Sequence, residues 1–166
     1  MIGTELGVAD LCAVQSLIAD YVLSVDARDV ERFRALWTDD AVLRVERDLV
    51  GLGAPLHGPD AIVAAFQRYF DTHVHEPGSF VRHLTTGSRI EIVGEDEVAA
   101  TTMMLSVRQR LAGDTIDIRV GQTGLYTDRI VRTEAGWRLA ERTIAWDPPE
   151  RDGVELPATL YGAVPR

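Results

Sequence analysis

From Ala9 to Val25 the apolar residues fall at Leu11, Val14, Leu17, Ile18, Tyr21, Val22 and Val25. This three- and four-residue spacing predicts one face of a helix. Asp29 then stands where an N-cap belongs, ahead of a short second helix in "VERFRALW". "TDDAVLRVE" turns to a strand pattern. "LHGPDAIVAAFQRYFDTH" predicts a third helix, with Pro59 in its first turn and Ile62, Phe66, Tyr69 and Phe70 on its apolar face. The second half of the chain changes period. "SFVRHLTTGSRIEIVG", "EDEVAATTMMLSVRQRLAG", "DTIDIRVGQTGLYTDRIVRT" and "AGWRLAERTIAW" read as long strands separated by Gly-, Asp- and Glu-containing turns. Turns this short predict an antiparallel meander. Helices first and strands after predict an α+β fold, not the alternation of a doubly wound sheet. Three helices laid on one face of a strongly curved, mostly antiparallel sheet would form a cone. The cavity between its layers would suit a small molecule.

Composition narrows the class. The 166 residues are 46% hydrophobic and 26% charged, enough for one domain with its own core. The net charge is −9 and no basic run stands out, which argues against nucleic acid or an anionic membrane as partner. Cys12 is the single cysteine, so neither an intramolecular disulfide nor a thiolate cluster is possible, and a reducing cytoplasm is the expected setting. "MIGTELGVAD" lacks the basic and apolar blocks of a signal peptide. No unbroken apolar run approaches the roughly 18 residues of a membrane span. His57 precedes a Gly-Pro turn, and His73 and His75 form an H-x-H with no evident third ligand, so no metal is expected. G-x-S-x-G, P-loop and Rossmann glycine patterns are missing, and no cofactor is implied.

Two polar residues look misplaced. Asp26 continues the stripe of Ile18 and Val22 at four-residue spacing, near a helix C-terminus where the macrodipole disfavours an anion. Either it marks the turn into "ARD" and faces water, or a partner opposes it. His83 interrupts the strand "VRHLTTG", and a buried imidazole needs a partner for each ring nitrogen. It is either a satisfied structural residue or the mate of a carboxylate. An aspartate on one ring nitrogen would fix the tautomer and leave the other as a general base. Tyr21 precedes Asp26 by five residues, about 140° around an ideal helix. Both line one cavity only if its wall is broad or the last turn distorts; otherwise Tyr21 is core.

The order of elements, with "YVLSVDARDVERFRALWTDDAV", "LHGPDAI", "RHLTTGSRIEIVGEDEVAA" and "GLYTDRIVRTEAGWRLAERTI", resembles the SnoaL-like branch of the NTF2-like superfamily from about Ala9 to Trp146. The resemblance implies a domain over residues 1–146 and a Pro-rich tail over 147–166 that could cover the cavity. It implies a cofactor-free lyase or isomerase, since the branch includes dehydratases, a dehydrochlorinase, steroid isomerases and polyketide cyclases. Several of these use an aspartate near the end of the first helix and a histidine on the first long strand, here Asp26 and His83. A tyrosine at the place of Tyr21 is similar to the dehydratases and departs from the dehydrochlorinase pattern. By the same pattern Arg142 would point into the cavity and hold an anionic or carbonyl oxygen, while an exposed strand arginine fits the residues as well. Met104, Ser106, Gln122, Tyr126 and Trp146 stand at pocket-lining positions, though Met104 and Trp146 fit a core equally.

Dehydration or polyketide-type cyclisation of a small, largely apolar cyclic substrate is the implied chemistry. Two rivals stand beside it: a non-enzymatic small-molecule-binding module, and a structural subunit resembling those of ring-hydroxylating dioxygenases. The convex sheet face should carry residues such as Val107, Leu111, Ile116, Ile118, Val120 and Ile130. That is too apolar for solvent, and it predicts a homodimer or homotrimer built sheet to sheet.

Overall fold

The computed structural model describes residues 6–46, 48, 51–73 and 79–147. The tail from residue 148 onward and His75 lie outside the described residues, and with them the expected cover over the cavity. In chain order the elements are α1 (Val8–Ala27), α2 (Val30–Ala35), β1 (Trp37–Glu46), β2 (Leu56–His57), α3 (Pro59–His73), β3 (Ser79–Gly94), β4 (Glu97–Ala112), β5 (Thr115–Thr133) and β6 (Gly136–Trp146). Arg28 ends α1 in the left-handed region at φ 55°, and its N–H returns to the carbonyls of Ser24 and Val25. Asp29 then caps α2, accepting from the Arg32 N–H at 3.0 Å. The second helix is shorter than its apolar pattern suggests, because Trp37 already opens β1. Leu56 and His57 form no lead-in to α3; they pair with Leu43 and Val42 as β2.

The sheet runs in the order β2-β1-β6-β5-β4-β3. β3 to β6 form the antiparallel meander. β1 lies parallel to β6, so the sheet is mixed. α1, α2 and α3 pack on one face. The side chains beneath them are buried at alternate positions: Val98, Ala100, Thr102 and Met104 on β4, and Tyr126, Asp128 and Ile130 on β5. α1 is, against the expectation from its sequence, long and apolar enough to cross a membrane. Here Val14, Leu17, Ile18, Tyr21, Val22 and Val25 cover the sheet, while Leu11, expected on the same face, is 38% exposed.

One register slip decides which strand residues face the core. Leu105 pairs with Thr123 but Val107 pairs with Val120, so β5 holds one extra residue there. A single added residue inverts the facing of everything beyond it. Ile130, expected on the convex face with Val120, is instead fully buried, while Leu111, Ile116, Ile118 and Val120 lie outside at 59–67% exposure. Beyond the slip, β4 and β5 continue as an arm that the helices do not cover. Ile130→Ala should cost about 2–5 kcal/mol in urea unfolding, since it opens a cavity in a packed interior. Leu23→Ala, on the half-exposed flank of α1, should stay within about 0.5 kcal/mol of the parent.

Candidate active site

β3 is an edge strand, and α1 runs along it. Within the β3–β4 ladder His83 sits opposite Ser106. The His83 backbone N–H donates to Asp26 Oδ2 at 3.0 Å, and the ring Nδ1–H donates to Asp26 Oδ1 at 2.6 Å. One carboxylate therefore holds both the backbone and the ring of a single residue. The Arg82 guanidinium adds a cation 3.7 Å from Oδ2. The Asp26 side chain is 3% exposed and that of His83 is 24% exposed. These donors offset an anion that stands near the wrong end of a helix. With Nδ1 engaged, Nε2 is the ring nitrogen left for chemistry.

His83 forms part of the wall of a cavity of about 510 Å³, its open mouth included. Tyr21, Val22 and Val25 come from α1, and Phe66, Tyr69 and Phe70 from α3. Gln122, Tyr126, Ile144 and Trp146 come from the sheet, and Leu52 from the loop after β1. Trp146 Nε1 is buried without a hydrogen-bond partner among the described residues, a donor left for an acceptor. The pocket is thus apolar with a few polar tips.

The register slip builds part of this wall. Ser106 Oγ accepts from the Gln122 N–H at 2.8 Å and pins the extra residue in place. Position 121 is glycine because a Cβ there would stand 2.4 Å from Ser106 Oγ. Ser106 thus shapes the wall that Gln122 lines and does not itself border the cavity. Met104 is 3% exposed and belongs to the core, outside the lining. Exposed His57 lies away from the cavity wall, and the His73 side chain lies outside the described residues.

Arg142 is neither in the cavity nor in solvent. It is fully buried, and its Nε and Nη2 each donate to Asp128 at 2.7 Å. Its guanidinium carbon lies 3.8 Å from the Tyr21 ring centroid and 4.4 Å from that of Tyr126. Burial opposes the guanidinium charge, yet Asp128 outweighs it and keeps Arg142 protonated. Burial pushes the Tyr21 phenol up to about 12, with Arg142 pulling the other way. Burial pushes Tyr126 up as well. Sequence reasoning missed Asp128 and Leu52. Asp128 carried a signal, because it alternates with Tyr126 and Ile130 on a buried strand face. Leu52 carried none, since it sits in an irregular loop.

A curved sheet roofed by three helices, with His83 on the wall of an apolar cavity and Asp26 behind it, is an α+β cone of the NTF2-like type. The chain belongs to the SnoaL-like domain family, whose model matches residues 8–143. Hexachlorocyclohexane dehydrochlorinase 1 of Sphingobium indicum is 26% identical over 133 residues, covering 80% of this chain and 79% of that protein. A putative scytalone dehydratase from Novosphingobium aromaticivorans superposes with a TM-score of 0.67 at 17% identity, covering 93% of this chain and 94% of that one. A Catenulispora acidiphila protein in complex with S-DNPA gives a TM-score of 0.68 at 23% identity, covering 85% and 96%. The two superpositions show the shared fold, and the relatives include enzymes of lyase type.

Two outcomes follow from the buried groups. Arg142→Met should cost about 3–5 kcal/mol, because Asp128 is left charged and unpaired, and Asp128→Leu in the same chain should restore most of it. For Tyr21 the phenol is raised from 10.0 to about 12 on folding. The unfolded chain then ionises first, so the stability present below the unfolded value is lost as pH rises toward the folded one. Urea midpoints should fall across this alkaline window, and Tyr21→Phe should flatten that fall.

Proposed function

We propose that the protein is a cofactor-free lyase or isomerase of the dehydratase or cyclase type, acting on a small, largely apolar cyclic substrate. The observation that carries this reading is the Asp26–His83 contact, with His83 on the wall of an apolar cavity. His83 Nε2 takes a proton from carbon next to a carbonyl, while Asp26 holds the tautomer and stabilises the imidazolium. In a dehydration the C–H pair becomes the new C=C bond as the C–O bond breaks. The proton on His83 then goes to the departing hydroxyl, which leaves as water. Tyr21, kept protonated by burial, and the Trp146 N–H are the donors for substrate oxygen. Arg142 acts through the tyrosines it stacks on and does not touch substrate. The dehydrochlorinase and dehydratase relatives support an elimination, and a cyclisation would use the same pair.

The same reading includes a homo-oligomer, dimer or trimer, built on the outer sheet face. Leu84, Met103, Leu111, Ile116, Ile118 and Val120 are all at least half exposed there, a large patch for a solvated surface. Light scattering at micromolar concentration should give a multiple of 18.3 kDa, and a monomer mass would refute the assembly. For the chemistry, native mass spectrometry against small-molecule extracts should capture a ring compound. On the substrate so found, His83→Ala and Asp26→Asn should each lower kcat by about 10²–10⁴-fold with KM little changed. Full turnover by either variant would sink the mechanism, and capture of a compound that is never turned over would make the protein a binding module.

A further inference from the structure

Most arginines here face a carboxylate: Arg32 meets Asp20, Arg34 meets Asp60, Arg129 meets Glu97 and Arg132 meets Asp10. Arg108 is an exception. It is exposed on β4 and has no partner among the described residues. Its cross-strand neighbour is another arginine, Arg119. Like charges directly opposite one another destabilise a strand pair. Arg119 holds Asp117 at 2.7 Å, which answers one charge of the two. Arg110 follows on the same face, opposite Asp117. No basic run in the chain announces the cluster, because the β4–β5 register assembles it.

Its place gives it a use. The β3–β4 register is unbroken from Ser79 opposite Arg110 to Thr86 opposite Met103. Arg108 therefore lies on the same face as His83, one two-residue repeat, about 7 Å, further along the sheet. On β5, Arg119 precedes the bulge whose Gln122 lines the cavity. The two arginines do not line the cavity; they stand beyond its rim on the same face, where both are exposed to solvent.

We propose that Arg108 and Arg119 form an anion subsite beyond this rim, and that the substrate is a ring compound bearing a carboxylate. The proposal rests on the cavity reading above and narrows its substrate class. A guanidinium fork matches a carboxylate. On a protein of net charge −9 a local cationic pair also overcomes the general repulsion of an anion. The ring enters the apolar cavity beside His83, and the carboxylate stays beyond the rim.

The test is calorimetric binding of 2-naphthoate and 2-naphthamide, matched in shape and different by one charge. Naphthoate should bind about tenfold more tightly at low salt, as expected for charge-assisted pairing. The advantage should shrink in high salt, since exposed charges are screened over about 8–10 Å. Arg108→Gln with Arg119→Gln should erase the advantage and leave naphthamide binding unchanged. Equal affinity for the two probes, an advantage that survives the double variant, or no binding of naphthoate would overturn the proposal. The readout is binding, so loss of the charge preference leaves the acid–base reading standing. A preference kept by His83→Ala separates the subsite from catalysis in the other direction.

Discussion

The Asp26 carboxylate is the joint on which the site depends. It leaves the last turn of α1 and meets the unpaired edge of β3, where the His83 N–H has no further strand to bond. An edge strand exposes such donors, and they need an acceptor or water. Here one oxygen takes the backbone donor and the other takes the ring Nδ1–H. Helix, sheet edge and imidazole are thereby fixed to one another by a single side chain. Loss of that carboxylate would release the ring orientation and the helix-to-edge contact together.

A second buried charge sits under the cavity. Arg142 and Asp128 face each other across β6 and β5, both inaccessible to solvent as side chains. An ion pair so deep adds little stability over an apolar pair, because desolvation opposes its attraction. What it adds is order. The guanidinium lies against the faces of Tyr21 and Tyr126, and two aromatic walls of the pocket are set by its position. Tyr21 in turn packs on Phe33, Trp37 and Phe66 from α2, β1 and α3. The pocket is thus braced from every layer of the fold.

The bulge near Ser106 links three features that look unrelated. It turns Gln122 into the cavity wall, it sends Ile130 inward, and it leaves the arm with apolar side chains on one face and arginines on the other. A straight ladder would have put Val120 and Ile130 on the same side. The site wall, the core and the outward surface of the arm all depend on one extra residue.

Local patterns in the sequence determined a good deal. Helical spacing placed α1 and α3, the Asp29 cap placed α2, and glycine-marked turns bounded the long strands almost to the residue. Asp26 and His83 were conspicuous because each violated the pattern around it, a polar group on an apolar stripe and an imidazole in a strand. What only the tertiary structure decided was pairing and facing. Nothing in "GLYTDRI" says that Asp128 meets Arg142, because their contact needs the β5–β6 register. Nothing in "RQRLAGDTIDIR" says that Arg108 and Arg119 stand opposite each other, because that needs the hairpin closed. The slip that inverted Ile130 was equally silent. Periodicity is a property of one segment, whereas register and bulges are properties of two segments held together, and they are settled only when the strands pair.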